Sequence, residues 1–113
     1  MDTDRRRVPR FAVNLTVNKV NQQPLFGTIK DFSRSGMRVV LDAPTWENKA
    51  DIQIEIQRPD YNEQILATAS VAWEKISEGR CELGLKFKNI PVQAKADFLD
   101  YGYKEWLKNK FYQ

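Results

Sequence analysis

The sequence predicts an all-β fold, a six-stranded antiparallel barrel followed by one C-terminal α-helix. Apolar residues recur at every second position through most of the chain, and polar turn clusters interrupt them at hairpin spacing. After Pro91 the period changes to three and four, as a helix requires. Short strands at such spacing close into a barrel, with the helix covering an open side or end. With 113 residues the chain has room for one core and not two. Its 42% hydrophobic and 29% charged residues place it with chains that fold unaided and not with disordered ones.

In the first strand Phe11, Val13, Leu15 and Val17 share one side, and Asn14, Thr16 and Asn18 the other. Asn21 to Pro24 read as a polar turn before a second strand from Leu25 to Lys30. Beyond the turn-rich stretch Asp31 to Gly36, Met37, Val39 and Leu41 alternate in a third strand that breaks at Ala43-Pro44-Thr45. Ile52, Ile54 and Ile56 alternate with Gln53, Glu55 and Gln57 in the fourth, the cleanest two-residue period in the chain. Arg58 to Asn62 form a hairpin loop. The fifth strand aligns Ile65, Ala67, Ala69, Val71 and Trp73 on one face, and Ser77-Glu78-Gly79 turns the chain into a sixth. There Cys81, Leu83, Leu85 and Phe87 point inward, Glu82, Lys86 and Lys88 outward, and Gly84 implies a bend or a close backbone approach.

The helix places Leu99, Tyr103, Trp106, Leu107 and Lys110 on one face, with Pro91 suited to its first turn. Gly102 weakens it by about 1 kcal/mol relative to alanine, so packing must compensate. The chain thus divides into a basic arm over residues 1–10, flexible until a ligand orders it, a barrel over 11–90 and a helix over 91–113.

Composition removes several classes of function. Cys81 is the only cysteine and there is no histidine, which excludes an internal disulfide and a Cys/His zinc site. The same absence leaves Ser33 or Cys81 without the usual base of a nucleophile, so no enzyme and no cofactor are expected. No apolar run of 18 residues exists and the arginine-bearing start is not followed by an apolar leader, which predicts a cytoplasmic protein without membrane insertion. The net charge is only +3, yet Arg5, Arg6, Arg7 and Arg10 crowd one short stretch, partly offset by Asp2 and Asp4. Charge this local suits a small anion or one phosphate-rich patch. Trp73, Phe87, Tyr103 and Trp106 follow core periods and read as packing rather than as base-stacking platforms, whereas Trp46 falls in a loop.

Two segments stand outside the strand pattern, Arg5-Arg6-Arg7-Val8-Pro9-Arg10 and Asp31-Phe32-Ser33-Arg34-Ser35-Gly36. Together they resemble the signature of the PilZ family, a group of bacterial receptors for the second messenger cyclic di-GMP. Arg6 and Arg10 match its RxxxR element, which Arg5 extends to RRxxxR, and Asp31, Ser33 and Gly36 match [DN]xSxxG. The later Val71-Ala72-Trp73 and Leu83 to Phe87 are similar to the strands that close the family's barrel, so the resemblance covers nearly the whole chain. It implies a cyclic di-GMP site formed by Arg5, Arg6, Arg10, Asp31, Ser33 and Gly36, with the arm wrapping over a nucleotide held against the barrel. Arg5, directly before RxxxR, extends what the resemblance implies to either one nucleotide or a stacked pair per chain.

The chemistry of the residues agrees with that implication. Guanidinium forks bind phosphate bidentately, reach O6 and N7 of guanine and stack on the base, which lysine cannot reproduce. The Asp31 carboxylate can accept guanine N–H donors, the Ser33 hydroxyl can donate to phosphate, and Gly36 permits positive φ or close approach. Ligand-driven ordering of the arm would then present a new surface to a partner protein. Two other readings are a PilZ-like adaptor that no longer depends on the nucleotide, and a small barrel binding RNA or single-stranded DNA. The second would require exposed aromatics, where the polar strand faces carry Asn, Thr, Gln and Glu.

Overall fold

A computed structural model describes residues 10–43, 51–58 and 63–111. Arg5 and Arg6, the break at Pro44, Trp46, most of the loop after Arg58 and the side chain of Lys110 lie outside the described residues. Six strands, β1 (Phe11–Val20), β2 (Gln23–Phe32), β3 (Gly36–Leu41), β4 (Ile52–Gln57), β5 (Gln64–Ser77) and β6 (Arg80–Asn89), precede the helix α1 (Val92–Phe111). They form a closed antiparallel barrel in the order β1-β2-β3-β6-β5-β4, with β1 pairing back onto β4.

Two tight hairpins set the register. Asn21 and Gln22 have φ of 51° and 67°, and Glu78 and Gly79 have 53° and 77°. Two successive positive φ angles match a type I′ turn, whose twist suits right-handed strands. The first turn is therefore two residues shorter than its polar sequence suggests. Gln23 and Pro24 already pair with Val20 and Lys19 in β2. Pro24 is tolerated because the β2 pairing with β3 starts only at Gly27, leaving that end an edge.

The inward rows of all six strands meet in one core, in which Leu15, Val17, Ile29, Val39, Leu41, Ile54 and Leu83 are fully buried. Phe98 of α1 closes it, its ring 5.4 Å from that of Phe32, which in turn lies 5.1 Å from Phe87.

The helix buries a different face from the one its large apolar residues mark. Ala94, Phe98 and Gly102 point into the fold, while Tyr103 and Trp106 remain 46% and 45% exposed and stack on each other at 5.9 Å. The cause is close approach: a methyl group on Gly102 would lie 2.6 Å from Cβ of Phe11 and 3.1 Å from Val13. Small residues flanking Phe98 let α1 settle directly on β1, and periodicity that counts only bulky residues misses such a stripe. On propensity alone Gly102→Ala would stabilise the helix by about 1 kcal/mol. Overpacking against a Cβ that has no rotamer to escape into costs about 1–3 kcal/mol. Urea unfolding of Gly102→Ala is thus expected to show a net loss of stability; a gain would mean that α1 is free to lift from β1.

Candidate functional site

The segment Asp31 to Gly36 is where β2 turns into β3. Asp31 and Phe32 end β2, Ser33 to Ser35 make the turn, and Gly36 begins β3. Ser33 is completely buried, and its hydroxyl oxygen accepts from the backbone N–H of Ser35 (3.3 Å) and of Gly36 (3.2 Å). Its proton can go to the Gly36 carbonyl at 3.2 Å or to the Ser35 hydroxyl at 3.3 Å, and the Ser33 N–H also donates to the Gly36 carbonyl at 2.9 Å. In this arrangement Ser33 holds the turn closed. Ser33→Ala strands the buried Gly36 N–H at a cost of about 1–3 kcal/mol, whereas the N–H of exposed Ser35 can turn to water. Denaturant titration should register that loss, and an unchanged midpoint would show that water replaces the hydroxyl freely.

Gly36 owes its identity to a neighbouring strand. It is absent from the left-handed region, where Gly79 is the one glycine among the described residues. A methyl group on Gly36 would sit 2.0 Å from the Leu85 carbonyl oxygen, so β6 passes where a side chain would be. Phe87 N–H then donates to the Ser35 carbonyl at 2.8 Å, fixing the turn to β6.

Asp31 stands at the mouth of this turn and is shared between two arginines. Arg10 Nη1 donates to its Oδ1 at 2.6 Å, and Arg38 Nε to its Oδ2 at 2.9 Å. Arg38 Nη1 reaches onward to Glu82 Oε2 at 3.0 Å. Hydrogen bonds first to Asp31 and then to Glu82 hold the Arg38 guanidinium above its ordinary pKa against a smaller effect of burial. Its charge is present at any pH the fold survives.

Strand register extends the site across the outer barrel surface. Ala12 pairs with Asp31, Asp31 with Arg38, Arg38 with Gly84, and Gly84 with Trp73. Trp73 does not join the inward face with Val71 as alternation predicts. A bulge between Val71 and Trp73 turns the indole outward, and it is 45% exposed. It lies on Gly84, where a methyl group would fall 2.0 Å from Nε1 of Trp73. The close approach expected at Gly84 is therefore to a side chain.

Of the residues read from sequence, Arg10 and Asp31 are in direct contact, and Ser33 and Gly36 build the adjoining turn. Arg5 and Arg6 fall outside the described residues. Sequence reading did not assign Arg38 or Glu82 to the site: Arg38 is the one charged residue of β3, and Glu82 is one of several outward charges on β6. Trp73 was seen but assigned to the core. Among the described residues no group of three His, Cys, Asp or Glu side chains is placed to hold a metal ion. No described helix is long and apolar enough to cross a membrane.

Comparison with known proteins agrees with the fold. The family profile described as the PilZ domain matches residues 4–104. Among solved structures, the Bacillus subtilis inhibitor of motility (MotI/DgrA) superposes with a TM-score of 0.73 at 20% identity, covering 92% of this chain and 52% of that one. The chain thus spans about half the length of MotI. The PilZ domain of YcgR from Escherichia coli, a structure with c-di-GMP, superposes with a TM-score of 0.63 at 17% identity, covering 94% of this chain and 96% of that one. No curated protein sequence matches the chain significantly.

Proposed function

The chain belongs to the PilZ domain family, and from that premise we propose that it is a cyclic di-GMP receptor, not an enzyme, whose arginine arm closes on the nucleotide. The observation that carries the reading is the division of Asp31 between two arginines, one on a barrel strand and one at the root of the arm. Arg38 holds Oδ2 from within the barrel wall, so the carboxylate keeps its position when Oδ1 changes partner. A nucleotide phosphate competes with Asp31 for Arg10 and offers the bidentate geometry that guanidinium favours. Released from Arg10, Oδ1 can accept from the N–H edge of guanine. Arg6 supplies a second fork and Arg5 a third for a stacked second nucleotide. Ser33 and Gly36 keep the turn shaped for the ligand, with Trp73 and Arg38 on the adjoining surface. Closure of the arm over the bound nucleotide is the switch, recognised by a partner protein in the cytoplasm, and it requires only that the ligand favour the closed state.

One observation favours a second reading, a nucleotide-independent adaptor: Arg10 and Asp31 partner each other at 2.6 Å. Calorimetric titration separates the two. A receptor should bind cyclic di-GMP with a Kd of about 1 µM or tighter, equivalent to about 8 kcal/mol, at one nucleotide per chain or at two if Arg5 organises a pair. Absence of heat at 100-fold higher ligand concentration would leave the adaptor.

A further inference from the structure

Beside the same turn lies a surface cavity of about 260 Å³ whose walls are strongly basic. Arg34, Lys86, Lys88 and Lys95 line it, with the polar Ser35 and Asn89 between them and the apolar Phe87 and Ile90 contributing the remaining wall. Lys88 pairs with Asp51 at 2.9 Å, an exposed pair that solvent weakens. Arg34, Lys86 and Lys95 pair with no carboxylate among the described residues. Lys95 stands in the first turn of α1, which carries no acidic residue. A cation there opposes the helix dipole. Four positive groups are thus gathered round one hollow, one of them where local helix electrostatics disfavours it. Val92, the most exposed of the large apolar side chains described at 84%, follows Ile90 by two positions.

We infer that this cavity docks an acidic segment of a partner protein, carboxylates on the lysines and arginine and an apolar side chain against the half-buried Phe87. A nucleic acid fits less well, since no exposed aromatic lines the cavity to stack a base. The inference deepens the proposed function and rests on it only for coupling to the nucleotide. Arg34 and Ser35, which line the cavity, belong to the Asp31 to Gly36 turn itself, and the Ser33 and Ser35 hydroxyls meet at 3.3 Å. The Phe87 N–H to Ser35 carbonyl bond ties that turn to the strand bearing Lys86 and Lys88. A displacement of the turn on nucleotide binding is therefore carried to Arg34 and to the lysines of β6.

The test uses the full chain and a fluorescein-labelled ten-residue peptide of alternating Glu and Leu, followed by fluorescence anisotropy. A Lys-Leu peptide and a labelled ten-nucleotide single strand serve as controls. Saturable binding of the acidic peptide is expected, at least tenfold tighter than either control and weakened by added salt. Lys88→Gln/Lys95→Glu should reduce its affinity at least tenfold; glutamate in the first helical turn suits the dipole, so the fold is retained. Amide shifts on peptide addition should cluster at Arg34, Ser35 and Lys86 to Lys95. No saturable binding, an unaltered affinity in the double variant, tighter binding of the single strand, or shifts elsewhere would each overturn the inference. The double variant should still bind cyclic di-GMP. If the wild type binds the peptide but not the nucleotide, the receptor reading fails while the docking surface stands.

Discussion

Arg10→Ala is expected to lower the affinity for cyclic di-GMP by about 30- to 1,000-fold, the equivalent of about 2–4 kcal/mol, while the fold remains intact. The two halves of that expectation rest on different surroundings. The Arg10 side chain is 53% exposed and its bond to Asp31 is a surface ion pair, worth about 0–1 kcal/mol. Asp31 also keeps Arg38 when Arg10 is lost. Under the proposed function the same guanidinium would make charge-assisted forked bonds to the nucleotide. Calorimetry and urea unfolding of one protein preparation distinguish the effects. Wild-type affinity in Arg10→Ala would remove the arm from the site. A stability loss above about 1 kcal/mol would mean that the Arg10–Asp31 pair is structural.

Gly36→Ala should produce the largest stability loss of any single methyl group in the barrel, about 3–5 kcal/mol out of the 5–15 typical of a small domain. The added carbon would meet the Leu85 carbonyl at 2.0 Å, a backbone atom held in the β3–β6 ladder. At Gly102 the neighbour is a side chain on a helix-strand contact that can open slightly; at Gly36 the two strands would have to part and release ladder hydrogen bonds. Urea titration should show the midpoint falling sharply with little change in slope. A loss below about 1 kcal/mol would show that the turn relaxes away from β6. The glycine of the DxSxxG element is thus first a condition for the strand pairing on which the turn stands.

Much of the barrel was legible because the strands of a half-buried antiparallel sheet must alternate, and Ile52 to Gln57 do so without exception. The turn at Glu78-Gly79 announced itself through its glycine, whereas Asn21-Gln22 adopts the same geometry without one and its length was misread. The Asp31 to Gly36 element was recognisable as a motif, but the reasons for its residues were not. Burial of the Ser33 hydroxyl and the passage of Leu85 beside Gly36 depend on a strand nearly fifty residues away. Bulges are equally silent in a sequence, and one bulge moved Trp73 from the core to the site surface. The helix face was misassigned because packing here is set by where a side chain is small, at Ala94 and Gly102, rather than by where it is large. Arg38 joins Asp31 only through cross-strand register.

Thermal unfolding with and without cyclic di-GMP, with GTP as the control nucleotide, tests the central claim most directly. At a ligand concentration of about 100 times Kd, linkage gives roughly 2.7 kcal/mol of stabilisation, or about ten degrees in a domain of this size. A rise of that order with cyclic di-GMP and none with GTP is the expected result. An unchanged midpoint with both nucleotides at high concentration would contradict the receptor assignment, leaving a PilZ barrel that acts without the nucleotide.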